Sequence, residues 1–190
     1  MHKIAVFASG SGTNAQNLAD YFSDNHQIEI AKIYSNRASA FVHERAKRMG
    51  IPSTTFTREE FKSDAFVRQL KEEGINCIVL AGFLWLIPAS LIKGFDQKII
   101  NIHPSLLPAF GGKGMYGGHV HEAVVASGAT ESGITIHLVN EKYDEGKVLF
   151  QAKTAVTSID DPDSLAGRIH ELEYEHFPKV IEKYLLEGNL

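Results

Sequence analysis

Asn101 and His103 carry the chemistry most plainly legible in this chain. They stand two positions apart in the stretch Asn101–Pro108 (NIHPSLLP), directly after the apolar pair Ile99-Ile100. On a strand, side chains at i and i+2 point to one face, so a carboxamide and an imidazole would project together. Pro104 then ends the strand, because it has no N–H to give to a ladder. A titratable group beside a neutral donor suits a reaction in which negative charge develops on an oxygen. The same spacing also fits a polar strand end with a hydrogen-bonded histidine, and on spacing alone the two readings stand side by side.

A second constellation lies near the start of the chain. Ala8–Asn14 (ASGSGTN) joins a strand-like run to a helix-like one. Glycines there permit positive φ and close approach. A helix N-terminus adds N–H groups and the positive end of a dipole, so the loop suits a phosphate. Gly10-x-Gly12-x-x-Ala15 also fits a dinucleotide fingerprint, which wants an acidic residue at the end of the second strand. Ser35-Asn36-Arg37 stands there instead, and Arg37 suits a 2′-phosphate, so the dinucleotide reading is weakened and survives. No Gly-Lys-Ser/Thr closes the loop, which is therefore not a P-loop. A plain tight turn is the remaining reading.

The elements that must position these residues alternate between strand and helix. Strand-like runs are Lys3–Ala8, Ile28–Tyr34, Ile75–Ala81, Lys98–His103, Gly133–Val139 and Lys147–Thr157. Helix-like runs are Asn14–Phe22, Ala40–Met49 (ending at Gly50), Phe61–Glu73 (stopped by Gly74), Pro88–Ile92, His121–Ala126 and Ser164–Leu186. Pro178 within the last predicts a kink or a break. Ile75–Ala81 is nearly continuous in apolar residues, as a central parallel strand requires. Gly133–Val139 alternates. The pattern predicts an α/β fold, a single domain over 1–190 with a mostly parallel twisted sheet and helices on both faces. In such sheets ligands bind beyond the carboxyl ends of strands, where both constellations fall.

Composition narrows the class. Of 190 residues, 44% are hydrophobic and 22% charged, as in an ordinary globular protein. The net charge of −4 and the scattered Lys and Arg argue against a nucleic-acid partner. Cys77 is the single cysteine, so no internal disulfide forms, and its apolar run makes it a buried small hydrophobe. The chain goes straight into a strand without a signal-peptide layout, and no apolar stretch approaches membrane-spanning length. A cytoplasmic protein, monomer or homodimer, without a membrane partner is the expectation.

Ser9–Asn14 (SGSGTN), Leu80–Phe83 (LAGF), Asn101–Pro108 (NIHPSLLP) and Tyr143–Gly146 (YDEG) stand in one order. Together they resemble the folate-dependent formyltransferases, in particular the branch acting on glycinamide ribonucleotide. The resemblance extends over essentially the whole chain and implies a Rossmann-like formyltransferase fold, with a phosphate-binding N-terminal half and a folate-binding, catalytic C-terminal half. It implies formyl transfer from 10-formyltetrahydrofolate to the ribonucleotide's amine in purine biosynthesis. Asn101, His103 and Asp144 would be the catalytic set, with Asp144 favouring the imidazolium of His103. Gly12, Thr13 and Asn14 would hold the phosphate, and Glu173 the ribose hydroxyls. Leu84, Trp85, Leu86 and Ile87 would line the pterin pocket largely through their backbone, with Asn101. Val139 and Asn140 would belong to the opposite wall. Read without the resemblance, Asp144 is a turn residue and Glu173 a solvated helix glutamate.

Phe110–Gly118 holds five glycines in nine residues, which predicts a mobile loop and suggests a lid, with Lys113 toward substrate phosphate. His119-x-His121-Glu122 with His103 could be read as a metal cluster, but no thiolate joins it; the two histidines are instead expected to shape the loop and the ligand pocket. No metal is expected. His137 reads as a satisfied strand histidine. Two formyl-folate alternatives fit less well: an enzyme on methionyl-tRNA should carry a further C-terminal domain, and a hydrolase an N-terminal regulatory one. From another class, an NAD(P)-dependent oxidoreductase or nucleotide-binding module explains the glycine loop and Arg37 but neither the octapeptide nor Asp144.

Overall fold

The computed structural model describes residues 1–188. It separates into two compact units, Met1–Asn101 and the chain from Ile102 onward. The first holds β1 (His2–Phe7), α1 (Thr13–Tyr21), β2 (Ile28–Ser35), α2 (Val42–Met49), β3 (Ser53–Thr55), α3 (Arg58–Lys62), α4 (Asp64–Glu72), β4 (Cys77–Leu80) and α5 (Ala89–Gly94), and most of β5 (Ile99–His103). The second holds α6 (Gly118–Ala126), β6 (Glu131–Leu138), β7 (Val148–Ala155) and α7 (Pro162–Glu187). The strands form one seven-stranded sheet in the order β3-β2-β1-β4-β5-β6-β7.

In the first unit every pairing is parallel: β2 with β3, β1 with β2 and with β4, and β4 with β5. β1 and β4 are central, which is why Ile4–Phe7 and Cys77–Leu80 are buried without interruption. Strand order reverses between β1 and β4, so the loops leaving these two strands flank a topological switch point, where open α/β sheets bind ligands. Cys77, at the start of β4, is buried, and burial pushes its thiol up to about 12.

Four elements depart from the sequence reading, the fourth being β6 of the second unit. The helix expected over Phe61–Glu73 is two helices, because Ser63 is extended and uses its hydroxyl twice: it accepts Phe66 N–H and donates to the Glu60 carbonyl. β3 was not anticipated, since three Ser/Thr residues at a sheet edge carry no apolar signal. Pro178 neither ends nor splits α7, which runs 26 residues from a capping box of Asp161 and Ser164. A mid-helix proline costs about 3 kcal/mol. The fully buried stripe Leu165, Ile169, Phe177 and Ile181 outweighs that cost, at about 1.5–3 kcal/mol per side chain.

In the second unit β6 and β7 form an antiparallel pair. β6 does not alternate: it is buried from Ser132 to Leu138, with α7 packed against it. Thr135 and His137 are therefore interior polar groups and require partners.

Candidate functional site

The glycine loop is built around Gly12, the N-cap of α1, whose φ of 75° is left-handed. A Cβ at Gly12 would lie 2.4 Å from Val42 Cγ2, so only glycine fits there. Unlike α3 and α7, α1 has no side-chain cap and no acidic residue in its first turn. The end carrying Thr13 and Asn14 thus keeps its dipole and its first N–H groups for an anion. Ser9 ties this loop to the segment after β4: its N–H donates to the Gly82 carbonyl, and its hydroxyl accepts Leu84 N–H at 3.1 Å.

That segment, Leu84, Trp85, Leu86 and Ile87, is aimed by aromatic packing. Phe7, Tyr34, Phe56, Phe61, Phe66 and Phe83 interlock, and Trp85 leans on Phe56 and Phe61 with ring centroids 6.0 and 5.7 Å away. The Arg58 guanidinium covers the indole at 5.2 Å. With its side chain occupied in this way, Trp85 has its backbone left for other contacts.

Asn101 and His103 lie at alternate positions of β5, half-buried and buried respectively. In the second unit His103 meets Asp144 and the loop after Pro108. Its Nε2–H donates to the Phe110 carbonyl at 2.8 Å, and its Nδ1 lies 3.6 Å from Asp144 Oδ2. The same carboxylate accepts Gly112 N–H at 2.9 Å, and its Oδ1 lies 3.6 Å from His137 Nε2. His137 gives its Nδ1–H to the Leu138 carbonyl. Asp144 is therefore a carboxylate bracketed by two imidazoles, held at a left-handed φ of 57°.

At His103 two effects oppose one another. Burial lowers the pKa of His103; Asp144 and the Phe110 carbonyl pull it up, His137 pushes it down, and the net direction is down. Burial thus opposes Asp144 and favours the neutral imidazole. Burial would raise Asp144, but His137, His103 and the Gly112 N–H outweigh it and hold the carboxyl below its ordinary range.

The octapeptide's remaining residues fix this geometry. The Thr135 hydroxyl donates to the Ser105 carbonyl at 2.7 Å and accepts both Leu107 N–H and the Gln151 amide, which uses its full capacity. The Ser105 hydroxyl donates to the Ala109 carbonyl. Gly146 lies so close to the Leu138 carbonyl that a Cβ would come within 1.6 Å of its oxygen, so the turn carrying Asp144 closes only on glycine. Sequence reasoning missed Thr135, Gln151 and the role of His137; a polar residue in a fully buried strand is the signal that would have found them.

Other predicted residues fall as follows. Glu173 is 6% exposed and sits in the apolar stripe of α7, so it is not a solvated glutamate. Val139 and Asn140 follow β6, and Asn140 folds its side chain back onto its own turn, bonding the Glu145 carbonyl and Lys142 N–H. Lys113 is exposed in a loop that includes a Met115-to-Gly112 turn. His119 pairs with Glu122 on the surface, whereas His121 is buried, its pKa lowered by burial and by His170 and His103. Among the described residues no three His, Cys, Asp or Glu side chains converge as a metal site, and no helix is long and apolar enough to cross a membrane.

Residues 2–181 match the family model described as formyl transferase. The chain is 39% identical over 186 residues to a chloroplastic phosphoribosylglycinamide formyltransferase of Arabidopsis thaliana, covering 94% of this chain and 64% of that protein. A counterpart from Vigna unguiculata is covered over 60% of its length, so the chain spans about three fifths of these two plant relatives. The phosphoribosylglycinamide formyltransferase of Haemophilus influenzae is 37% identical, with 100% of this chain and 90% of that protein covered. Among solved structures, glycinamide ribonucleotide transformylase 1 from Symbiobacterium toebii superposes with a TM-score of 0.89 at 32% identity, covering 99% of this chain and 89% of that one.

Proposed function

The chain belongs to the formyl transferase family, and from that premise we propose that it transfers the formyl group of 10-formyltetrahydrofolate to the amine of glycinamide ribonucleotide, a step of purine biosynthesis. The observation that carries the reading is His103, with one ring nitrogen facing the Asp144 carboxylate and the other donating to a carbonyl oxygen. The Phe110 carbonyl marks the direction in which this imidazole gives a proton or a hydrogen bond. In the reaction the formyl oxygen takes that place.

The amine nitrogen attacks the formyl carbon, a C–N bond forms, and charge gathers on the formyl oxygen. Asn101 donates an amide N–H to it, and His103 donates from Nε2. A proton taken up from solvent at Nδ1, beside Asp144, makes His103 the imidazolium that burial disfavours at rest; the oxyanion and Asp144 stabilise it through the step, and the proton is released again when the oxyanion collapses. The bond from carbon to N10 of the folate then breaks, and the proton lost by the amine passes to N10, with Asp144 as relay. Gly12, Thr13 and Asn14 receive the phosphate and Glu173 the ribose hydroxyls. Leu84–Ile87, Val139 and Asn140 receive the pterin.

Purified protein is tested by following tetrahydrofolate formation with the ribonucleotide present and absent. Amine-dependent turnover is expected. Equal turnover without amine would assign a hydrolase, and binding of NADPH without folate would assign the oxidoreductase.

A further inference from the structure

We propose that Arg45 is a positioning residue of the glycine loop: it holds the Ser11 carbonyl so that the Gly12 N–H faces the ligand, and its charge makes the loop selective for a dianionic phosphomonoester. The proposal rests on the reading that Gly12–Asn14 receive the phosphate.

Three consecutive carbonyls of this loop are tied to the protein. The Gly10 carbonyl accepts Val42 N–H at 3.1 Å, the Ser11 carbonyl accepts Arg45 Nε–H at 2.9 Å, and the Gly12 carbonyl accepts Gln16 N–H at 2.9 Å. In a trans peptide the C=O and the following N–H point in opposite directions. Tying these three oxygens therefore turns the N–H groups of Ser11, Gly12 and Thr13 to the other side, as a row of donors suited to an anion. The outer two ties are main-chain bonds to helical segments. The middle one is a side chain, and it falls on the peptide that ends in Gly12, where glycine's freedom makes reversal of the plane least costly.

The guanidinium is itself held in place. It stacks over the Phe41 ring at 5.4 Å, and Arg48 lies against the same ring at 5.5 Å. Among the described residues Arg45 forms no ion pair, so its charge remains to favour the anion.

The test uses Arg45→Met and Arg45→Lys, with ribose 5-phosphate as a binding probe and the unphosphorylated glycinamide riboside as a control substrate. Arg45→Met is expected to raise both the KM for the ribonucleotide and the Kd for ribose 5-phosphate about tenfold to a hundredfold, the range for losing a charge-assisted hydrogen bond, with kcat and the folate KM changed less than about threefold. Lysine keeps the charge without the fixed Nε–H, and Arg45→Lys is expected to lose about fivefold or more while melting with the parent. The riboside should be used equally well by all three proteins. Unchanged ribose 5-phosphate affinity in either folded variant overturns the proposal, as does an equal loss with riboside and ribonucleotide. If the parent protein does not formylate the ribonucleotide, the formyl-transfer reading fails, and ribose 5-phosphate binding still decides the role of Arg45.

Discussion

Replacing Asp144 by Asn removes one charge and leaves the local bonding nearly intact. The Asn oxygen can keep the Gly112 N–H, and its NH2 can donate to His137 Nε2, because His137 already gives its Nδ1–H to Leu138. Stability should therefore fall by no more than about 1 kcal/mol. The chemistry should suffer far more. Unit charges 3.6 Å apart, the separation of His103 Nδ1 and Asp144 Oδ2, attract by about 4–5 kcal/mol at an effective dielectric near 20. Spreading of charge over the ring and both oxygens leaves at least about 2 kcal/mol, so kcat should fall about 30-fold to 1,000-fold. The pair is 4% and 11% exposed, so salt will not restore it. The sign in pH also follows. His103 is already depressed by burial, and losing Asp144 depresses it further, so the variant's activity should shift toward acid. The assay is steady-state formyl transfer against pH, paired with a thermal melt. Near-normal kcat in a protein that melts with the parent would refute the role given to Asp144.

Three further outcomes are expected. Gly146→Ala forces a Cβ against the Leu138 carbonyl and should cost about 3 kcal/mol or more, read as a fall in denaturation midpoint. Thr135→Val strands the Leu107 N–H and the Ser105 carbonyl and should cost about 2–4 kcal/mol by chemical denaturation, with kcat reduced because the segment after His103 loosens. Tyr34→Phe removes the hydroxyl that donates to Glu73 Oε2, at a cost of about 1–2 kcal/mol. Burial alone would raise Glu73, but Lys32, Tyr34 and Gln69 hold it below the ordinary carboxylate range. Its stabilisation is thus present above the unfolded pKa and lost as pH falls through the folded one, so the gap between parent and variant should close in acid denaturation curves.

Much of this architecture is legible in the sequence because its signals are local. The apolar runs of β1 and β4, the Gly50 stop and the proline after His103 each act within a few residues. The features that escaped are set by packing. Ser63 divides two helices through its own hydroxyl, and Pro178 is absorbed because α7 is buried along one side. His137 reads as a strand histidine, and Leu138 satisfies its Nδ1; what the strand pattern does not disclose is that its other nitrogen faces Asp144. Glu173 is legible from its spacing: a carboxyl group in register with Leu165, Ile169 and Phe177 falls on the buried side of its helix. The pull of Asp144 on His103 toward the imidazolium can be inferred from motifs, whereas the burial that opposes it cannot.

The most direct test of formyl transfer follows the carbon itself. Folate carrying an isotopically labelled formyl group is mixed with excess enzyme and glycinamide ribonucleotide, and the label is located after a single turnover. Label on the ribonucleotide's amine, in equal amount to the tetrahydrofolate formed and lost in His103→Asn, is the predicted result. Label released as formate, or left on the folate, would contradict it.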